Sequence, residues 1–393
     1  MRIGVLTSLY PSSVLPHEGI FAERRWSRMV QRGHEVRVAH PLPHAPLAFL
    51  GALFGKPHWR AIARTPDSEA REGIAIRRPR YAHVPGRALA NARAFARAGV
   101  ATLRAQGDPD VVVLDYAWPA AASVPDLCAA GIPVLVNGRG SDVLQVAETS
   151  DLADELGAAL RRGGHWCAVS LDLVRAMDRL AGAPGRGVLI PNGVDFEEFQ
   201  PRDKLEARAR LKLDAAGPWV LVVGHLIPRK DPLLALESFA KTSPSTARLA
   251  FVGSGPLERA LQSRARDLNL GSRVQFFGAQ APESLRWWYA AADVLLLTSS
   301  REGRPNVVIE ALASGRPVVA TAAGGTGELL EGFEGALVTS RDGEAIARAL
   351  SAMLANPPAP ARCRAQVAEL SWDNSLSALE RCLERVRAGK PSA

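Results

Sequence analysis

Asp293-Val-Leu-Leu-Leu-Thr298, then Glu302-Gly-Arg-Pro-Asn-Val-Val-Ile-Glu310, then Ala311-Leu-Ala-Ser-Gly315-Arg-Pro-Val-Val-Ala-Thr321: these three pieces decide the fold. The first is a short apolar run, long enough for a buried parallel strand and too short for a helix. In the third, a helix ends at Gly315 and a new apolar run starts after Pro317. The segment therefore reads strand, loop, helix, strand. That unit belongs to α/β proteins with parallel sheets, in which ligands bind at the carboxyl ends of the strands.

Glu302 and Glu310, with seven residues between them, bracket the helix start. Asn306 reads as its N-cap, which would turn the amides of Val307 and Val308 toward an anion. Glu310 lies about one turn further in, within reach of a sugar hydroxyl. This suits a ligand with a diphosphate flanked by hydroxylated rings.

The same alternation runs along the chain in two series. Strands are expected at 3–7, 33–39, 74–78, 111–115, 134–137, 165–169 and 187–190, with an amphipathic helix between the first two. Pro191-Asn-Gly-Val-Asp-Phe-Glu-Glu-Phe-Gln-Pro201 breaks the rhythm. A second series follows at 219–223, 248–252, 274–277, 294–297 and 317–320. At 393 residues the chain exceeds one ordinary core. The expectation is two Rossmann-like domains, residues 1–195 and 196–371, followed by a helix over 372–393 for which a return to the first half is one open course.

Composition narrows the class. Charged residues make up 22% and hydrophobic residues 47%, the balance of a globular chain. No run approaches the ~20 apolar residues of a membrane span, and the amino-terminal run is too short for a secretory signal. A cytoplasmic protein is expected. The four cysteines have no metal or disulfide spacing. Residues 1–110 carry 17 Lys and Arg against 8 Asp and Glu, so the basic character belongs to the first half. Arg24, Arg25, Arg28, Arg77, Arg78, Arg80, Arg87, Arg93, Arg97 and Arg104 are its candidates for meeting anionic lipid or phosphate. No base-stacking aromatics are interleaved with them, which argues against nucleic acid. Residues 43–64, with apolar residues flanked by Lys56, Arg60 and Arg64, are either an interfacial membrane element or an ordinary partly buried excursion.

Several strand ends carry candidate site residues. Gly224 and His225 follow one strand, and Arg229 and Lys230 come just after, as fixed cations for a departing diphosphate or as a solvated basic turn. Gly253 and Gly255 form either a phosphate loop or a tight turn. Gly324-Gly-Thr-Gly is similar. In the first half, His17, Glu18 and Gly19, then Asp115 and Trp118, then Arg139 and Asp142 stand at strand ends where an acceptor would sit, although a helix cap explains Asp142 equally well. Asp108-Pro-Asp110 offers paired carboxylates but reads better as a turn into a strand. No other cluster has metal-ligand spacing.

These residues together resemble the family 4 glycosyltransferases. The resemblance rests on the turn at Gly19, Gly33-His-Glu-Val, Arg139-Gly-Ser-Asp, Pro191-Asn-Gly-Val-Asp, the Lys230 segment, Val252-Gly-Ser-Gly-Pro and the paired glutamates before Ala311-Leu-Ala-Ser-Gly-Arg-Pro-Val-Val. The Tyr10-Pro and His17-Glu-Gly-Ile-Phe elements are similar to the subgroup that builds cell-envelope polysaccharides, teichuronic acid transferases among them. The resemblance implies the GT-B fold, two Rossmann-like domains facing each other across a cleft. It also implies a retaining, metal-independent hexosyl transfer from a nucleoside diphosphate sugar to a glycan or lipid-linked acceptor, with no cofactor; the basic first half leaves a peripheral position on the inner membrane face as one open course. Glu302 would hold the donor sugar, Glu310 the ribose and Lys230 the diphosphate, with Gly303, Arg304, Pro305, Asn306, Val307 and Val308 lining the donor. Two positions depart from the family: His225 stands where an arginine is usual, and Asp115-Tyr-Ala-Trp118 where many members carry a histidine. An epimerase or hydrolase on the same fold and a catalytically silent scaffold are the rival readings.

Overall fold

The computed structural model describes residues 1–44, 58–333, 337–338 and 340–390. Residues 45–57, the greater part of the suggested interfacial element, lie outside the described residues. The chain divides into two compact units, Met1–Asn192 with Ser375–Ala393, and Gly193–Asn374.

Unit 1 is built on an eight-stranded sheet in the order Val188–Leu189, Trp166–Ala168, Val134–Gly138, Val111–Asp115, Arg2–Leu6, Glu35–Ala39, Ile74–Arg77, Ser68–Arg71. All pairings are parallel except the last. That antiparallel edge strand is missed by sequence reasoning because three of the four residues of Ser68-Glu-Ala-Arg71 are polar. Its signal is the two-residue loop Glu72-Gly73, both at positive φ (49° and 76°), the geometry that matches the twist of a tight hairpin. The paired carboxylates at Asp108 and Asp110 prove to be a turn. Asp108 bonds Arg104 at 3.2 Å and Asp110 bonds Arg2 at 2.9 Å.

Unit 2 holds a six-stranded, all-parallel sheet in the order Val274–Phe276, Arg248–Val252, Trp219–Val223, Val294–Leu297, Val318–Thr321, Leu337–Val338. Its central strands Trp219–Val223 and Val294–Leu297 read as continuous apolar runs because both faces are covered. Leu221, Val223, Ala250, Val252, Leu295 and Leu297 enter one core. Their chain neighbours Val220, Leu249, Phe251, Val294 and Leu296 enter the other. Side chains alternate across a strand, so a strand buried on both sides needs an apolar residue at every position.

The helix Trp372–Arg387 begins in unit 2 and continues in unit 1. Leu376, Leu379, Leu383 and Val386 are buried at helical spacing. Glu380 receives Arg32 at 2.7 Å and His34 at 2.9 Å, and Ser375 donates to the Pro191 carbonyl at 2.5 Å. These are unit 1 contacts on both sides, and they hold the end of the chain to the body in which it began.

Candidate active site

In unit 2 the strand Trp219–Val223 runs into Gly224, at φ 139°. A short 3₁₀ turn over Pro228–Lys230 follows, and then Asp231, whose carboxylate caps the helix Pro232–Ala240 by accepting from the Leu234 amide at 3.2 Å. The turn is stitched to the loop after Val294–Leu297. Thr298 Oγ1 donates to the Asp231 carbonyl at 2.8 Å, and the Ser300 amide donates to the Arg229 carbonyl at 2.8 Å. Adjacent strand ends are thereby locked in register, and Lys230 is brought to Glu302. Lys230 Nζ lies 2.5 Å from Glu302 Oε1, and Arg229 Nη1 lies 3.6 Å from Oε2 while donating to the Arg301 carbonyl at 2.9 Å. Glu302 is 6% exposed. A carboxylate this shielded calls for fixed cationic partners, and Lys230 with Arg229 supplies them.

Beyond Glu302 the structure corrects the helix start. The helix is Asn306–Ala313 with Pro305 as its N-cap, so Asn306 is the first helical residue. Proline suits this junction because it has no amide to satisfy and resists helical continuation backward. The Val308 amide donates to the Pro305 carbonyl at 3.1 Å, which removes it from the donors expected to face an anion. Glu310 is buried and accepts a 2.8 Å hydrogen bond from the Tyr289 hydroxyl. Arg304 is turned to Glu328 at 2.8 Å, and burial lowers the pKa of its guanidinium. The pair ties this loop to the helix Gly325–Leu330 behind Gly324. His225 is exposed at the strand end.

The glycines of the neighbouring strand end serve backbone packing. A Cβ at Gly253, whose φ is 146°, would stand 1.9 Å from the Gly224 carbonyl oxygen, and one at Gly255 would stand 2.4 Å from that of Leu226. Two loops run in contact there, and neither residue has room for a side chain. Gly253→Ala is expected to cost about 1–3 kcal/mol from backbone strain alone, with a further loss from displacing Gly224. Urea denaturation should show a lower midpoint at unchanged slope, and an unchanged midpoint would refute the packing argument.

Unit 1 places its candidates differently. His17 is exposed and Glu18 half-buried in the turn before the helix Ile20–Gln31. Gly19 begins that helix at φ 69°, where a Cβ would press within 2.7 Å of the Leu9 backbone. Trp118 is half-buried. Asp115, Arg139 and Asp142, expected to offer groups to an acceptor, are buried and bonded within the protein. Asp115 Oδ1 receives Arg139 Nε at 2.7 Å and Asn137 Nδ2 at 2.8 Å, and its Oδ2 receives Trp26 Nε1 at 2.7 Å and Arg139 Nη2 at 3.0 Å. Arg139 continues to Asn192 Oδ1 at 2.6 Å, and Arg25 reaches the same oxygen at 3.1 Å. Asp142 gathers the amides of Ala117 at 2.5 Å, Gly140 at 2.6 Å and Arg139 at 3.0 Å. These three residues therefore act as a scaffold for the strand ends, because every oxygen of the two carboxylates is already engaged.

The electrostatics follow from burial. Desolvation alone would raise the Asp115 carboxyl, but the charge and hydrogen bonds of Arg139, with Arg25 and Trp26, outweigh it and hold the group below its ordinary value. Asp142 is pushed up to about 6 by burial, against the pull of its amide donors. Burial, with Arg139 alongside, pushes the Arg25 guanidinium down to about 9.

The basic surface expected of the first half is correspondingly smaller. Arg25 and Arg78 are fully buried, and Arg80, Arg93 and Arg104 are paired with Asp67, Glu155 and Asp108. Arg77, Arg87 and Arg97 remain exposed. Sequence reasoning missed the roles of Tyr289, Thr298, Trp26 and Asn137, none of which carries a local signal, and it quoted Asn192 only as part of the Pro191-Asn-Gly-Val-Asp turn. Among the described residues, no helix is long and apolar enough to cross a membrane, and no group of three or more His, Cys, Asp or Glu could hold a metal ion.

Residues 203–369 match the family model for glycosyl transferases group 1, and residues 26–198 match that for glycosyltransferase family 4. The Bacillus subtilis (strain 168) protein TuaC, whose name assigns it to teichuronic acid biosynthesis as a glycosyltransferase, is 31% identical over 363 residues, covering 89% of this chain and 88% of its own length. A GDP-mannose-dependent alpha-(1-6)-phosphatidylinositol monomannoside mannosyltransferase of Mycolicibacterium smegmatis is also 31% identical, over 77% of this chain and 80% of its own. Among solved structures, the sucrose-phosphate synthase of Thermosynechococcus elongatus superposes with a TM-score of 0.80 at 22% identity, covering 99% of this chain and 100% of that one. The two Rossmann-like units are those of the GT-B fold, and the chain belongs to the family 4 glycosyltransferases.

Proposed function

We propose that the protein is a retaining enzyme that moves a hexose-type sugar from a nucleoside diphosphate sugar to a hydroxyl of a cell-envelope glycan or lipid-linked acceptor. The observation that carries this reading is the Lys230–Glu302 pair at 2.5 Å, with Arg229 beside it, at the carboxyl ends of a parallel sheet. In this reading Lys230 and Arg229 meet the diphosphate and stabilise the charge that develops as the sugar leaves, so no metal is required for that role. Glu302 then exchanges Lys230 for the donor sugar's hydroxyls. Glu310, fixed by Tyr289, takes the ribose, and Gly224, His225 and the residues from Gly303 to Val307 line the donor. Same-face attack preserves configuration, with the departing phosphate accepting the acceptor's proton. The acceptor belongs to unit 1, near His17, Glu18 and Gly19.

The printed names of the two relatives support an envelope glycan or glycolipid acceptor. Exposed Arg77, Arg87 and Arg97 suit a cytoplasmic protein resting on an anionic membrane face.

Thermal shift with UDP, GDP and ADP tests the donor site. One diphosphate at 100 times its Kd should stabilise the protein by about 2.7 kcal/mol, and Lys230→Gln should remove most of that shift. Absence of a shift with all three would overturn the reading. Conversion of the donor without any acceptor would instead mark an epimerase or hydrolase.

A further inference from the structure

In unit 2 a single tryptophan gathers three guanidiniums. Trp287, in the helix Leu285–Ala291, has the guanidinium carbons of Arg210, Arg202 and Arg286 at 4.5, 5.2 and 5.7 Å from its ring centroid. The face of an indole attracts a cation. The ring has two faces, so at least two of the three arginines share one, and like charges are held close. Among the described residues, none of the three enters an ion pair. Of the acids near them in sequence, Asp203, Glu206 and Glu283 are exposed and enter none either. Asp293 is taken by Lys204 and by Arg208, the latter at 2.6 Å. Arg202 Nη2 donates to the Glu197 and Glu198 carbonyls at 3.4 and 3.3 Å. The Nε atoms of Arg202 and Arg286 are nevertheless buried without a hydrogen-bond partner. A buried donor with no acceptor is costly, and an anion would complete this arrangement.

We propose that Arg202, Arg210 and Arg286 form a binding site for a phosphate monoester. Such a group carries a charge of about −1.5 to −2 at pH 7 and three acceptor oxygens, which answers a trio of cations with two idle Nε donors. A carboxylate brings one charge and two oxygens, and leaves most of the trio uncompensated. A nucleic-acid strand brings singly charged diesters and bases that need an open aromatic face, whereas this indole is engaged by cations. The monoester itself is the shared chemistry, carried by a soluble metabolite or by a lipid headgroup. The site lies apart from Lys230 and Glu302. Arg208, on the helix Lys204–Arg210, donates to Asp293 and to the Gly217 carbonyl at 3.1 Å, just before the strands Val294–Leu297 and Trp219–Val223. That helix therefore stands at the amino ends of strands whose carboxyl ends lead to Lys230 and Glu302. Tyr289, two residues beyond Trp287, bonds Glu310, and residues two apart on a helix face different ways.

This site does not depend on the transferase reading, and its test keeps the two apart. Isothermal titration calorimetry on the full chain is the measurement. The soluble probes are glycerol 3-phosphate and lactate, and the lipid probes are phosphatidylcholine vesicles mixed equally with phosphatidic acid or with phosphatidylglycerol. At least one monoester, glycerol 3-phosphate or phosphatidic acid, should bind, and the one that binds identifies the source. It should exceed its singly charged control, lactate or phosphatidylglycerol, by about tenfold. Arg210→Gln, at an exposed helix end, should weaken the binding by about tenfold. Arg210→Gln with Arg286→Gln should abolish it in a protein that melts no lower than wild type, because removing like charges relieves repulsion. Lys230→Gln, which disables the donor site, should bind the monoester as the wild type does. No binding of either monoester by the wild type, equal binding of the singly charged controls, undiminished binding by the double variant, or loss of binding in Lys230→Gln would each overturn the proposal.

Discussion

Glu302→Ala is expected to lower turnover by about 10²–10³-fold, the usual cost of removing one preorganised polar group from a reacting centre, while the chain stays folded. The glutamate is 6% exposed, but its partner Lys230 retains a 20% exposed side chain and can be hydrated once freed. The stability cost should therefore be about 1–3 kcal/mol, inside the margin of a stable domain. Glu302→Gln separates shape from charge. It keeps the hydrogen-bonding outline but releases Lys230, and so should fall between wild type and alanine. Transfer rates with an established donor, together with a thermal melt of each variant, give the answer. Near-wild-type transfer by Glu302→Ala would falsify the donor-site assignment.

The second large effect concerns stability. Asp115→Asn removes the carboxylate that Arg139 grips, in a network where the Arg139 and Asp115 side chains are 3% and 1% exposed and Arg25 is completely buried. Breaking such a pair leaves buried cations uncompensated, and the expected loss is about 3–5 kcal/mol. Replacing Asp115 and Arg139 together by apolar residues should cost less than the two single changes combined. Urea denaturation measures all three variants, and a loss below about 1 kcal/mol for Asp115→Asn would mean the network is not what holds these strand ends.

The same two carboxyls predict a pH profile with two limbs. The Asp115 pKa is depressed in the folded state, so its contribution is complete above the ordinary value of 3.8 and is lost as pH falls through the folded value. Asp142 is raised to about 6, so the folded state holds its proton longer than the unfolded chain does, and stability declines as pH rises from 3.8 to about 6. Asp115→Asn should erase the acid limb and Asp142→Asn the other. Melting temperatures taken at half-unit steps from pH 3 to pH 7 would show which limbs remain.

Much of this molecule was legible in local pattern. Uninterrupted apolar runs at 219–223, 249–252 and 294–297 announced strands covered on both faces, since only such strands exclude polar residues from alternate positions. The position of Glu302 and Glu310 around a helix start was equally local. What local pattern could not supply was partnership. Asn306 has the side chain of a cap, yet Pro305 takes that position because the preceding loop is anchored elsewhere. Asp115 and Arg139 look like open polar groups at strand ends, yet they satisfy each other.

By itself, then, the sequence determined the α/β class, the two series of strands and the strand end at which Glu302 sits. Only the tertiary structure decided that Lys230 meets Glu302 across 72 residues of chain, that Tyr289 fixes Glu310, and that Trp26, Asn137 and Asn192 close a charge network. The physical reason is strand order. Trp219–Val223 lies beside Val294–Leu297 with two strands and their helices between them in sequence. Neighbours in such a sheet are chosen by the packing of whole layers, which no short window of residues records.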